Sequence, residues 1–140
     1  LVPSPSESES FEVERSAIVL YRGSCDHLSP THVRHLLQSL TSALDERSRE
    51  LVEALSLAAT ELVANAVQAG ATSLHVTLLP APTFLELRVA DDADGVPELR
   101  EPGPSEERGR GLLIIERLSD AWGSTPLASG KTVWARFLTR

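Results

Sequence analysis

Residues 61–70 read ELVANAVQAG and hold the side chains of greatest chemical interest in this chain. Glu61 and Asn65 are four residues apart, which on a helix puts them one turn apart on one face. Leu62, Val63, Ala66 and Val67 surround them and form an apolar stripe that should face a core. A carboxylate and a carboxamide at the edge of such a stripe are costly to bury unless something pairs with them. A hydrated metal ion and a phosphate chain would do so. The carbonyl of an Asn suits a hard cation, and a Glu one turn away suits proton abstraction.

Three downstream patches carry compatible chemistry. In DDADG, residues 91–95, Asp91 follows directly on a strand-like run and could accept a hydrogen bond from an exocyclic amine such as that of adenine. Asp-rich loops are also ordinary solvated turns, and a calcium loop needs a longer ligand pattern ending in Glu. GRGLL, residues 109–113, opens a helix. Its paired glycines let the backbone approach a phosphate, and a helix N-terminus offers free amides and a favourable dipole. Arg108 and Arg110 add positive charge there. Gly130-Lys131-Thr132 precedes the last strand and, alone, reads as a turn. Neither a Walker loop nor a G-x-G-x-x-G after the first strand is present, so the common nucleotide scaffolds do not explain these glycines.

The elements that must position these residues follow from periodicity. Ser16 to Tyr21 reads as a first strand, and Ser29-Pro30 starts a helix carrying Val33, Leu36, Leu37, Leu40 and Leu44. A longer helix follows, marked by Leu51, Leu55, Ala58, Leu62, Ala66 and Ala69 and closed by Gly70. Residues 74–79 and 84–90 alternate as two strands of a hairpin joined through Pro80 to Thr83. Leu85, Leu87 and Val89 point one way and Glu86 and Arg88 the other, which predicts a sheet with one wet face. A long polar connection over 91–110, a helix over 111–118 and a strand over 132–138 complete the chain. The order predicts an α+β two-layer sandwich, a mixed, mainly antiparallel sheet with helices on one face. Residues 1–14, rich in Ser, Glu and Pro, read as a disordered arm, leaving 15–140 as one domain.

Composition narrows the classes of function. A net charge of −7 and a pI near 5.0 argue against nucleic acid or an anionic membrane as the main partner. The lone Cys25 excludes an internal disulfide and any cysteine-cluster metal site. No apolar run approaches the roughly 18–20 residues that span a bilayer, and no signal peptide is visible, so a soluble cytoplasmic protein is expected. The chain begins at Leu1 and contains no Met, which reads as processed or trimmed. His27, His32 and His35 cluster near the first helix, but no carboxylate or Cys completes a metal set. Trp122 and Trp134 read as packing residues.

Taken together, Glu61-x-x-x-Asn65, Asp91-x-Ala93-x-Gly95, Gly109-x-Gly111-Leu112 and Gly130-Lys131-Thr132 resemble the boxes of the Bergerat-fold ATPase superfamily, which contains histidine kinases, Hsp90, gyrase B and MutL. Within it, ELVANAV, RGRGLLIIERLSDAWG and GKTVWARF resemble the bacterial anti-sigma-factor serine kinases of the RsbW and SpoIIAB type, over roughly residues 15–140. The resemblance implies ATP and Mg²⁺ as cofactors, with Glu61 as the general base toward a serine hydroxyl and Asn65 as the magnesium ligand. It implies Asp91 and Gly95 at adenine, Gly109, Arg110, Gly111 and Leu112 at the phosphate lid and helix start, and Thr132 near adenine. It implies a sigma factor and an anti-anti-sigma protein as partners, commonly with a homodimer. Ala93 departs from the pattern, standing where the family has a glycine, as does Ala69, where many relatives carry His. A nucleotide-binding interaction module with little kinase activity is the alternative. A histidine-kinase catalytic fragment is disfavoured because His32 and His35 lie on the domain's own first helix.

Overall fold

The computed structural model describes residues 17–25, 30–38, 46–93 and 110–139. The expected arm at 1–14, Leu40, Leu44 and most of the polar connection lie outside these residues. The elements in chain order are β1 (Ile18–Ser24), α1 (Pro30–Gln38), α2 (Glu46–Gln68), β2 (Ser73–Pro80), β3 (Phe84–Asp91), α3 (Arg110–Leu118), β4 (Ala121–Pro126) and β5 (Lys131–Leu138). The five strands form one sheet in the order β1-β2-β3-β5-β4, antiparallel at all four pairings. The helices pack on one face, giving the α+β two-layer sandwich that the order of elements predicts.

The long helix α2 holds the two layers together. Leu55, Ala58, Ala59, Leu62, Val63 and Ala66 recur at helical spacing and are all buried, against Val76, Leu87, Val89 and Ala135 of the sheet and Val33 and Leu37 of α1. Burying each large aliphatic side chain stabilises the fold by roughly 1.5–3 kcal/mol relative to leaving it in water. Val67, expected in the stripe, is instead exposed, because it rotates past the edge of the buried face in the last turn. The end of α2 is a Schellman closure: the Ala71 amide bonds the Ala66 carbonyl at 3.0 Å and the Gly70 amide the Val67 carbonyl at 3.1 Å. Gly70 has a φ of 92°, in the region that favours glycine, so this residue stops the helix as its position suggested.

Two features differ from the sequence reading. The strand β4, over AWGSTP, was not expected, since Gly123, Ser124 and Pro126 give it no alternating apolar pattern. It persists as an edge strand because β5 supplies its ladder from Ala121↔Arg136 to Pro126↔Lys131. The second difference is the outer face of the sheet, which is not simply wet. Glu86 is only 2% exposed on that face, where Arg88 and Arg136 hold its carboxylate at 2.5 and 2.6 Å. Arg136 also stacks over the rings of Phe84 and Trp134, 4.6 and 5.2 Å from their centroids. The Trp134 ring lies so close on Gly123 that a Cβ there would meet it at 2.6 Å.

Candidate functional site

At one end of the sheet, three strands bring Leu74, Asp91 and Lys131 side by side in register. Asp91 and Lys131 share the helix-covered face with Val89 and Val133, two residues away on each strand. Both are 6% exposed, and Lys131 Nζ meets Asp91 Oδ1 at 3.2 Å. The same oxygen accepts the Ala93 amide at 2.8 Å. Oδ2 of Asp91 accepts no hydrogen bond among the described residues. Ala93, standing in place of a glycine, is buried and has no left-handed backbone, so alanine carries no conformational cost there.

The next aspartate has a different task. Asp92 Oδ1 accepts the amides of Thr72 at 2.8 Å and Ser73 at 3.2 Å, while Oδ2 takes the Thr72 hydroxyl. These bonds hold the Asp92 carboxyl down to about 2 from an ordinary value of 3.8, the Thr72 hydroxyl being the largest cause. They also tie the end of β3 to the turn that follows α2, so the C-terminal end of α2 lies at the Asp91 end of the sheet. Of the two neighbouring aspartates, one is therefore structural and the other faces inward.

Gly130 backs this corner. Its φ is 90°, and a Cβ there would lie 1.8 Å from the Asp91 carbonyl oxygen and 2.6 Å from the Asp92 Cα. Only a residue without a side chain lets the β4–β5 turn approach β3 this closely. The glycine of the G-K-T run is thus required by geometry.

Glu61 and Asn65 sit near the C-terminal end of α2, half-buried at the edge of its apolar face, as their spacing suggested. Partial burial raises the Glu61 carboxyl above its ordinary 4.5 by desolvation alone. Asn65 Nδ2 is buried with no hydrogen-bond partner among the described residues. Amide nitrogen and oxygen are assigned rather than seen, so this side chain can turn either a donor or an acceptor to that spot. A buried amide without a partner among the described residues, one turn from a carboxylate, fits a cation–phosphate pair, and Asn65 is the residue that would meet Mg²⁺.

The other expected site residues divide. Gly95 and Gly109 lie outside the described residues. Arg110 and Gly111 form the start of α3, and the first amides of a helix are the groups able to meet a phosphate. The Leu112 side chain belongs to the core at 3% exposure, which leaves its main chain as the part able to meet a ligand. Thr132 pairs with Ala90, so the alternation of the strand puts it on the opposite face from Asp91. Lys131 occupies the position facing Asp91 instead. In the sequence Lys131 is only the middle of a G-K-T turn; its register opposite Asp91 is what sets it on the inward face.

The layout is an α+β sandwich in which a long helix carries a carboxylate–carboxamide pair and ends at the same end of the sheet as an inward, salt-bridged aspartate. The model of the histidine kinase-like ATPase domain matches residues 27–137, and the chain belongs to that family. It is therefore a member of the Bergerat-fold superfamily, and ATP is the ligand that membership supports. No curated protein matches the chain. None of the described helices is long and apolar enough to cross a membrane.

Proposed function

We propose that this domain is an ATP-dependent protein serine kinase of the anti-sigma-factor type, binding Mg·ATP and passing its γ-phosphoryl group to a serine of a partner protein. In this reading Asp91 accepts the exocyclic amine of adenine. Asn65 holds Mg²⁺, which when bound supplies positive charge to the phosphates. The amides at the start of α3 receive the phosphate chain. Glu61 takes the proton from the serine hydroxyl as its oxygen bonds to the γ-phosphorus and the bond to the departing ADP breaks. Phosphoryl transfer asks mainly for positioning and charge stabilisation, which this set offers.

The observation that carries the reading is the state of Glu61. A carboxyl lifted by desolvation, one turn from a buried amide with no partner among the described residues, is a better proton acceptor than an exposed surface glutamate. The partners follow the same reading: a sigma factor held when the kinase is idle, an anti-anti-sigma protein as phosphoacceptor, and a homodimer as the holding form. The test is calorimetric titration with ATP, with and without Mg²⁺, on the unaltered chain and on Asp91→Asn, Asn65→Ala and Glu61→Gln. Magnesium-dependent binding should be lost in the first two variants and kept in the third, which should fail only in phosphoryl transfer. Unchanged Mg·ATP affinity in Asn65→Ala would remove the metal assignment. Transfer retained by Glu61→Gln would remove the base.

A further inference from the structure

Lys131 is a buried ammonium with three hydrogens and, among the described residues, one acceptor, Asp91 Oδ1. A buried charge is tolerated only when it is paired and its hydrogens are satisfied, so a single contact at 3.2 Å leaves this group short of acceptors. Its partner is short in the opposite sense, since Asp91 Oδ2 has unspent lone pairs. An open donor therefore stands beside an open acceptor, at a corner that Gly130 closes from behind by backbone contact. The pair is set by register: Asp91 and Lys131 are cross-strand neighbours on one face of the sheet.

We propose that Lys131 is a specificity-determining residue of the nucleotide site, donating a hydrogen bond to the base while Asp91 accepts one. The edge of adenine that carries the exocyclic amine presents the complement, a donor at N6 next to an acceptor at N1. Asp91 Oδ2 takes the N6 hydrogen and Lys131 Nζ gives one to N1. The ion pair stays intact and gains a second partner on each side. Thr132, on the opposite face, plays no part in reading the base.

This inference rests on the nucleotide reading above, and the experiment separates the two. Binding of ATP, 1-deaza-ATP and 7-deaza-ATP is measured by calorimetry on the unaltered chain. The 1-deaza analogue lacks the N1 acceptor and keeps the amine; the 7-deaza analogue keeps N1. Loss of a bond from a charged donor predicts that 1-deaza-ATP binds about tenfold or more weakly than ATP, with 7-deaza-ATP close to ATP. In Lys131→Met, ATP and 1-deaza-ATP should bind alike. Equal affinity of the unaltered chain for ATP and 1-deaza-ATP would overturn the role of Lys131 and leave the nucleotide site standing. Absence of any ATP binding would overturn both. Because the decisive comparison uses the unaltered chain, a Lys131→Met protein that fails to fold does not remove the test.

Discussion

Gly70 and Gly130 form a natural controlled pair. Their backbones are nearly the same, φ 92° and 90°, but no atom of the described residues lies within 4 Å of a Cβ at Gly70 while the Asp91 carbonyl lies 1.8 Å from one at Gly130. Alanine at either site bears the cost of a left-handed conformation, about 1–2 kcal/mol. At Gly130 the contact must also open from 1.8 Å to at least 3.0 Å, against backbone that cannot swing aside. Forced overpacking of this kind costs about 1–3 kcal/mol. Gly130→Ala should therefore lose about 1–3 kcal/mol more than Gly70→Ala when both are unfolded in urea. The methyl pushes on the main chain of Asp91, so ATP affinity should fall in Gly130→Ala and hold in Gly70→Ala. Losses that agree within about 0.5 kcal/mol, the ordinary scatter between independent sites, would refute the close-approach argument.

Two more perturbations test the electrostatics. Glu61→Gln should stabilise the fold at neutral pH, because a carboxyl raised by desolvation costs free energy when ionised; the advantage should vanish below about pH 4, where the carboxyl is protonated in both folded and unfolded chains. A pH-independent difference between the two proteins in urea titrations would contradict that sign. Glu86→Ala should cost about 3 kcal/mol, the low end for breaking a buried pair, since the side chains of Arg88 and Arg136 keep 24% and 15% exposure. A loss under about 1 kcal/mol in Glu86→Ala, read from urea titrations, would mean the arginines are satisfied without it.

The parts of the fold that were legible in the sequence are those whose signal is local. The helical period of α2, its stop at Gly70 and the alternation of β2 and β3 are visible within a dozen residues, and the structure has them. What was not legible depends on the partner strand. AWGSTP is a strand because β5 lies beside it, and Glu86 is buried because Arg136, fifty residues away, reaches it. At the site, Glu61, Asn65 and Asp91 stood out by residue type and spacing. Lys131 did not, since a lysine after a glycine is ordinary until the register puts it against Asp91. The difference between Asp91 and Asp92 was likewise hidden: adjacent, alike in type, they are distinguished only by Thr72 and Ser73 meeting one of them.

The placement of β5 has a consequence for how the molecule comes into being. It is last of the described strands in the chain, yet it lies between β3 and β4 and, among the described residues, is the only strand β4 pairs with. During synthesis, α2 and the β2–β3 hairpin can assemble from near neighbours, but the sheet stays split until β5 arrives to join its halves. Pairings of this long reach are slow to form, because the chain must close a large loop before any contact rewards it. Asp91 and Lys131 meet only at that closing step, forty residues apart in sequence. A growing or broken chain could own α2 with Glu61 and Asn65 and still lack the pair proposed to read the base. Nucleotide capture would then report that assembly is finished, and ATP in the medium would favour chains that have taken that last step over those that have not.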